Sequence, residues 1–331
     1  MKDNERGISI FNIILFLVMI IFLVFLALII FDNSNTLTSQ SKTNMIELKE
    51  STTNIASRYY YNEIDDGCKI MYDTIWQNVG ALMDGNTKIA FQKNNSISEE
   101  KFQTAWDALV LDKPEIFYVD TNNLTLVTKK TIYFGVSNNV YTLQPKDDKM
   151  YYISPFSSRA DIDTATSQID KVVSEVKNIA SGTRFDKVKL VHDYIIDNVS
   201  YDQNNDPDNS NIYGALVKKT AVCEGYASAF KYILDQLGIP CLSVYGDGID
   251  SNGSSETHAW NYVLMDDNKW YAVDTTWDDP ILIGRGTISS ESRYRYFLRG
   301  SNSFSLTHKE DGDVSGTGQK FTYPELSSED Y

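Results

Sequence analysis

The sequence predicts an α+β protein: helices packed on an antiparallel sheet, preceded by a small α+β domain and one N-terminal transmembrane helix. Three observations carry this. Ile8 to Phe31 is a run of 24 residues without a charge. Between Tyr59 and Pro155, helical spacing gives way to short β-rich segments. From Ser157 onward, apolar residues recur at 3- and 4-residue steps before strands appear, so helices and strands segregate instead of alternating.

The elements follow in order. Residues 1–7 form a short N-terminus and residues 8–31 the span. At 1.5 Å per residue the run is about 36 Å long, enough to cross a bilayer with some tilt. It exceeds the apolar region of a cleaved signal peptide, about 7–15 residues, and no A-x-A site follows it. Lys2 and Arg6 precede it, and the next cation after it is Lys42. The positive-inside rule then puts the N-terminus in the cytoplasm and the rest outside, as a single-pass protein of the cell membrane. Residues 32–58 are rich in Asn, Ser and Thr and read as a linker or stalk.

Residues 59–155 read as an α+β accessory domain. Ile64, Cys68, Met71, Tyr72 and Ile75 give a helix over Tyr61–Gly80, and Ile97–Leu111 gives a second, ended by Asp112-Lys113-Pro114. Strands are expected at Ile116–Val119, Leu124–Thr128, Thr131–Phe134 and Val140–Leu143. No catalytic constellation lies here, so the region reads as a structural companion.

Residues 156–300 hold the chemistry. Long helices are expected over Ser157–Ser181 and Thr183–Val199, with His192 as a surface or packing histidine. Asp202 to Asn209 reads as a solvated acidic loop. It lacks the sixth-position Gly of a calcium loop, and Tyr213 stands where the bidentate Glu belongs. Then Cys223 precedes Tyr226, Ala227, Phe230, Ile233, Leu234 and Leu237, the apolar face of a helix stopped by Gly238 and Pro240. A thiol in that first turn meets unpaired N–H groups and the positive end of the helix dipole, which favour thiolate. Glu224 opposes this unless its side chain points to water. Cys241–Tyr245 is a strand, and Gly246–Glu256 a polar loop. His258–Leu264 and Trp270–Asp274 form a hairpin around Asp266-Asp267-Asn268. His258 opens the first strand and Asp274 closes the second, so antiparallel pairing makes them neighbours. Cysteine attack, histidine as base and aspartate as orienter is the triad logic in cysteine form. Arg293–Leu298 reads as a final strand, and residues 301–331 as a loosely packed polar tail in which His308 has no assigned partner.

Of three cysteines, Cys68 and Cys241 read as small buried hydrophobes. The odd count leaves at least one thiol free. With no CxxC or HxxxH pair, neither a metal nor another cofactor is expected. A net charge of −15 disfavours nucleic acid as a partner.

Three separated stretches, AVCEGYASAF, THAWNYV and WYAVDTTWDDP, resemble in order the motifs of the transglutaminase-like superfamily, bacterial branch. KLVHDYIIDNVSYD and YGALVKKTAVCEGYA resemble its leading helices, and the likeness covers roughly Phe185 to Leu298. YYYNEIDDGCKIMYDTI and ALVLDKPEIFYVD resemble a region that precedes this core in Gram-positive surface proteins. The resemblance implies a papain-like α+β core at 156–300, with Cys223 as nucleophile, His258 as base and Asp274 as third member. It implies acyl transfer from a glutamine carboxamide or peptide carbonyl through a Cys thioester, on a protein or peptide substrate. An amine acceptor makes the reaction transglutamination; water makes it that of a cysteine protease or amidase on surface or cell-wall peptides. The Cys223 N–H is the expected oxyanion donor, with Tyr213 as a second candidate. The β-sandwiches of the calcium-dependent animal enzymes have no counterpart in this sequence. A non-catalytic peptide-binding surface module is the reading from another class, disfavoured because all three triad positions are filled.

Overall fold

The computed structural model describes residues 58–92, 94–133, 136–279, 289–316 and 320–331. The expected span at 8–31 and all but the last residue of the linker lie outside the described residues. Among the described residues, no helix is long and apolar enough to cross a membrane. Thr52–Tyr331 form one compact unit, a mixed α/β arrangement with antiparallel sheets.

The N-terminal helical stretch is broken into α1 (Tyr59–Glu63), α2 (Asp66–Gln77) and α3 (Val79–Met83), instead of the single expected helix. The break is local chemistry: Ile64 is extended, and the Asp65 carboxylate caps α2 by accepting Cys68 N–H at 2.9 Å. A short β1 (Ile89–Ala90) precedes α4 (Glu100–Asp112). The strand expected at Ile116–Val119 does not form. Pro114 opens a 3₁₀ turn over Pro114–Ile116, and Val119 N–H bonds back to Ile116 C=O at 3.2 Å. The later strand signals merge into a ten-residue hairpin pair, β2 (Leu124–Tyr133) and β3 (Val136–Pro145), with β1 on the far edge of β3.

The next helices start where side chains cap them. In α5 (Arg159–Ile179), Ser158 and Asp161 form a reciprocal capping box; in α6 (Arg184–Asn198), Thr183 and Asp186 form another. The acidic loop that follows is not solvated throughout, because Asp202 and Asp208 are buried. Asp202 accepts the N–H groups of Asn204 and Asp206 at 2.8 Å, and Asp208 pairs with Lys218 at 2.8 Å. The folded loop lies between two short parallel strands, β4 (Ser200–Tyr201) and β5 (Thr220–Ala221). It backs the start of α7 (Cys223–Gln236): Val222 N–H donates to Asn209 C=O at 3.0 Å. Gly225 permits that approach, since a Cβ there would lie 2.4 Å from the Asn209 oxygen.

The main sheet contains β6 (Cys241–Ile249), β7 (Ser255–Leu264) and β8 (Trp270–Val273). After β8 come two one-turn helices, α8 (Ser290–Arg293) and α9 (Ser301–Phe304), and then β9 (His308–Glu310). The sheet order is β8-β7-β6-β9, antiparallel throughout. Two expectations are corrected here. Arg293–Leu298 is not a strand; the chain turns through it, with Tyr296 C=O accepting Asp274 N–H at 3.1 Å and Arg299 bridging Ala272 just beyond it. The segment after residue 300 is not loose: it supplies the edge strand and buries Phe304, His308 and Phe321. The polar loop expected at Gly246–Glu256 shrinks, since β6 runs on to Ile249 and β7 starts at Ser255. Gly246 and Gly248 look like turn residues but serve sheet edge and packing. A Cβ on Gly246 would sit 2.1 Å from Lys309 C=O, and one on Gly248 2.7 Å from the Trp277 ring.

Apolar side chains from both the N-terminal helices and the main sheet join one core. Tyr60 buries its ring against Phe321, 5.1 Å away edge-on, and its hydroxyl donates to Ser243 C=O. Gly246→Ala therefore should force β9 off the sheet. The expected loss is about 1–3 kcal/mol of unfolding free energy, with faster hydrogen exchange at residues 308–310. Unchanged stability and exchange would refute the close-approach role of Gly246.

Candidate active site

Cys223 is the first residue of α7. Val222 at the N-cap supplies no side-chain cap, so the first-turn amides face outward at the positive end of the helix. Cys223 is partly exposed, whereas Cys68 and Cys241 are buried. Burial pushes the Cys68 thiol up to about 11 and the Cys241 thiol well above its ordinary range, so neither is a ready nucleophile.

His258 projects from β7, buried, and its Nε2 meets Asp274 Oδ2 at 2.8 Å. The Cys223 thiol lies near enough to the same imidazole to act on its charge. Burial works against a charged ring, but the Asp274 charge and hydrogen bond outweigh it, with a further contribution from Cys223, and raise the imidazolium to about 10. Asp274 follows β8 directly. Burial pushes its carboxyl up, but His258 and then His308 outweigh that and hold it well below the carboxylate range. Its Oδ1 accepts Thr276 N–H at 2.9 Å and Trp277 N–H at 3.1 Å. Trp277 stacks on the His258 ring with centroids 5.0 Å apart and keeps water from one face. The hairpin therefore brings His258 and Asp274 together as the sequence predicts, and α7 delivers Cys223 to the same place.

Four features escaped the sequence reading. His308 is buried at the far edge of the sheet, and its Nε2 meets the same Asp274 Oδ2 at 3.1 Å. The signal available was its short distance from Phe304 in an otherwise polar stretch. His192 is neither exposed nor a mere filler. Its Nε2 meets Asp278 Oδ2 at 3.0 Å and its Nδ1 meets Asp193 Oδ1 at 3.2 Å. Burial opposes its charge, but the two carboxylates outweigh this and raise its pKa. Asp278 N–H in turn donates to Asp274 C=O at 3.1 Å, so His192 anchors the turn that carries Asp274. Glu224 is half-buried in the wall of a cavity that Ser210 also lines, and burial raises its pKa. Tyr213 is committed to an aromatic cluster with Phe117 and Phe156.

A cavity of about 380 Å³ opens beside the start of α7, lined by Glu224, Ser228 and Tyr245 on one side and by Phe117, Asn122 and Asn211 on another. The N-terminal region thus forms part of its wall. His258, Asp274 and His308 also offer three ligand atoms within 4.8 Å of one another, the spacing of a divalent-ion set. Here those atoms satisfy one another by hydrogen bonds.

The electrostatics set a pH window. The raised His258 pKa contributes stability that is complete below the unfolded value of 6.5 and lost as pH rises through about 10. The depressed Asp274 pKa contributes stability present above the unfolded value of 3.8 and lost as pH falls below it. The unfolding free energy of the wild type should therefore exceed that of Asp274→Asn most between about pH 5 and 6.5, and the gap should close on both sides. A gap independent of pH in urea titrations would exclude an ionised His258–Asp274 pair.

Residues 170–275 match the family model described as the transglutaminase-like superfamily. No curated protein matches the chain. Among solved structures, one described as a TGase is similar at 19% identity and a TM-score of 0.33, over 63% of this chain and 59% of its own length. A candidate cysteine protease from Cytophaga hutchinsonii is similar at 14% identity and a TM-score of 0.29, covering 48% of this chain and 68% of that one. A candidate protease from Parabacteroides distasonis gives 14% identity and a TM-score of 0.23, over 48% of this chain and 40% of its own. The chain thus spans 59% of the length of the first of these. Residues 170–275, with Cys223, His258 and Asp274 among them, form a domain of the transglutaminase-like superfamily.

Proposed function

We propose that the protein is a cysteine acyltransferase of the transglutaminase-like type, with Cys223 as nucleophile, His258 as general acid and base, and Asp274 as the residue that orients and charges His258. The observation that carries this reading is a partly exposed thiol at a helix N-terminus, near an imidazole whose Nε2 is held by a buried carboxylate. The Cys223 sulfur attacks the carbonyl carbon of a glutamine carboxamide or peptide bond. The C–N bond breaks, the His258 imidazolium gives its proton to the departing amine or ammonia, and a thioester remains. An amine or water then attacks the thioester, loses its proton to His258, and releases the Cys223 thiolate. The developing oxyanion is stabilised by the open amides of the α7 first turn, that of Cys223 first. The cavity beside Glu224 and Ser228 takes the flanking substrate chain.

The substrate class is a protein or peptide, and the acceptor separates transglutaminase from protease or amidase. We place the enzyme outside the cell, tethered by residues 8–31 with the N-terminus in the cytoplasm, on the charge-free run and the Lys2/Arg6 bias. Protease added to intact protoplasts should then digest the region after residue 31; full protection there would reverse the topology.

The chemistry is tested by incubating the protein with a glutamine peptide, with and without a primary amine, and weighing the products. An amine adduct, a deamidated peptide and a cleaved peptide have distinct masses. Product formation should vanish in Cys223→Ser and fall about 10²–10⁴-fold in His258→Ala. Asp274→Asn should be milder, because the ring loses its orienter but not its nitrogen atoms. Cys241→Ser should retain turnover per folded molecule. Wild-type turnover in Cys223→Ser would end the reading.

A further inference from the structure

We propose that His308 is a positioning residue of this site: its Nε2–H donates to the Asp274 oxygen that also receives His258, so that one carboxylate oxygen is shared between two imidazoles. The assignment rests on the reading of Cys223, His258 and Asp274 as one catalytic unit.

The geometry defines the role. Asp274 Oδ2 lies 2.8 Å from His258 Nε2 and 3.1 Å from His308 Nε2, while Oδ1 is occupied by two backbone N–H groups. A carboxylate oxygen accepts two donors in these directions, so both imidazoles carry their proton on Nε2. On His308 the other nitrogen faces a hydroxyl: Thr307 Oγ1 lies 2.9 Å from Nδ1 and can donate to it. The same hydroxyl also lies 3.4 Å from Phe304 C=O, but Nδ1 is the nearer acceptor; with the Thr307 proton on Nδ1 the ring is the neutral Nε2–H tautomer. The surroundings favour neutrality. The ring stacks on Phe304 at 3.9 Å and 13°, with Trp260 and Tyr296 edge-on at 5.1 and 5.2 Å. Burial lowers its pKa and the Asp274 bond only partly offsets this, whereas His258 on the same oxygen is raised. The other titratable groups that bear on the pair are Cys223, facing His258, and Asp278 with its partner His192, behind Asp274.

Two imidazoles on one oxygen thus have different duties. His258 carries the charge and exchanges protons with the substrate. His308 stays neutral, withdraws part of the Asp274 charge through its hydrogen bond, and fixes the carboxylate plane. The result is an Asp274 that remains ionised yet pulls less strongly on the His258 proton, which must be given up to the leaving group. The fold is built to deliver this contact. His308 is the first residue of β9, opposite Gly248, and the strand docks where Gly246 lacks a side chain.

The chain has three histidines, so the imidazole nitrogens of the full-length protein can be assigned by single substitution and titrated by ¹H–¹⁵N correlation spectroscopy. His308→Phe keeps a ring to stack on Phe304 but removes the donor. His308→Gln keeps an amide N–H near the place of Nε2. The expected result is that His258 deprotonates about half a pH unit or more higher in His308→Phe and returns to the wild-type titration in His308→Gln. Equal titration of His258 in the wild type and His308→Phe overturns the proposal, as does an equal shift in the Phe and Gln variants, which would mean that only ring volume matters. If His308→Phe does not fold, Thr307→Val serves instead. Without the hydroxyl the Nε2–H tautomer is no longer selected, and the same upward shift is expected; its absence overturns the proposal. Iodoacetamide labelling of Cys223 separates the two readings. If His258→Ala leaves the labelling rate unchanged, the catalytic unit itself fails and the role of His308 falls with it. If labelling depends on His258 while the His258 titration ignores His308, only the His308 assignment fails.

Discussion

A single fully buried carboxylate, that of Asp274, is the constraint on which the rest of the structure depends. An ionised group out of water is tolerated only if its hydrogen-bonding capacity is filled. Asp274 meets that demand with four donors drawn from three places: the amides of Thr276 and Trp277 in its own turn, His258 from the neighbouring strand, and His308 from the far edge of the sheet. Each donor fixes a piece of the fold. The turn after β8 must close tightly, β7 must pair in one register, and the C-terminal segment must return to β6. Removing the carboxylate would leave those donors without a shared acceptor, so three parts of the fold are tied to the same group.

Behind this centre lies a second buried charge arrangement that holds the turn. His192 on α6 has a carboxylate at each ring nitrogen, and one of them, Asp278, also accepts Tyr296 N–H at 2.8 Å. Within the DTTWDD stretch, Asp274 and Asp278 thus have different duties. The first faces the site; the second locks the loop to the helix behind it. A side chain that acts through another needs this kind of backing, because a carboxylate free to rotate would orient no imidazole.

The N-terminal helices are joined to the core by the same logic. Lys231, on the α7 helix that starts with Cys223, is fully buried beside Asp235. Burial opposes its charge, but Asp235 and then Asp112 of α4 outweigh it and raise its pKa. Asp112 also accepts the N–H groups of Tyr60 and Tyr61 at 3.1 and 3.0 Å. A polar chain therefore runs from α1 through α4 to α7, inside a shared apolar core. The cavity beside Glu224 takes its walls from both parts, which gives the N-terminal residues a place at the start of α7 as well as in the packing.

The sequence alone determined what depends on near neighbours along the chain. The long helices, the place of Cys223 in a first helical turn and the His258–Asp274 hairpin follow from 3.6- and 2-residue periodicity, Gly/Pro stops and one tight turn. Their geometry is set within about fifteen residues, so local pattern suffices. Tertiary structure decided the rest, because the deciding contacts join residues far apart in sequence. Gly246 reads as the start of a polar loop until Lys309 is seen pressed against it, and Ile116–Val119 reads as a strand until the Ile116 and Val119 N–H groups are found bonded within turns. Glu224 reads as solvated until the folded loop at 202–210 makes a cavity wall beside it and half-buries it. His308, 34 residues beyond Asp274, carries no periodic or motif signal; only the docking of β9 across a side-chain-free strand edge brings its imidazole to the carboxylate.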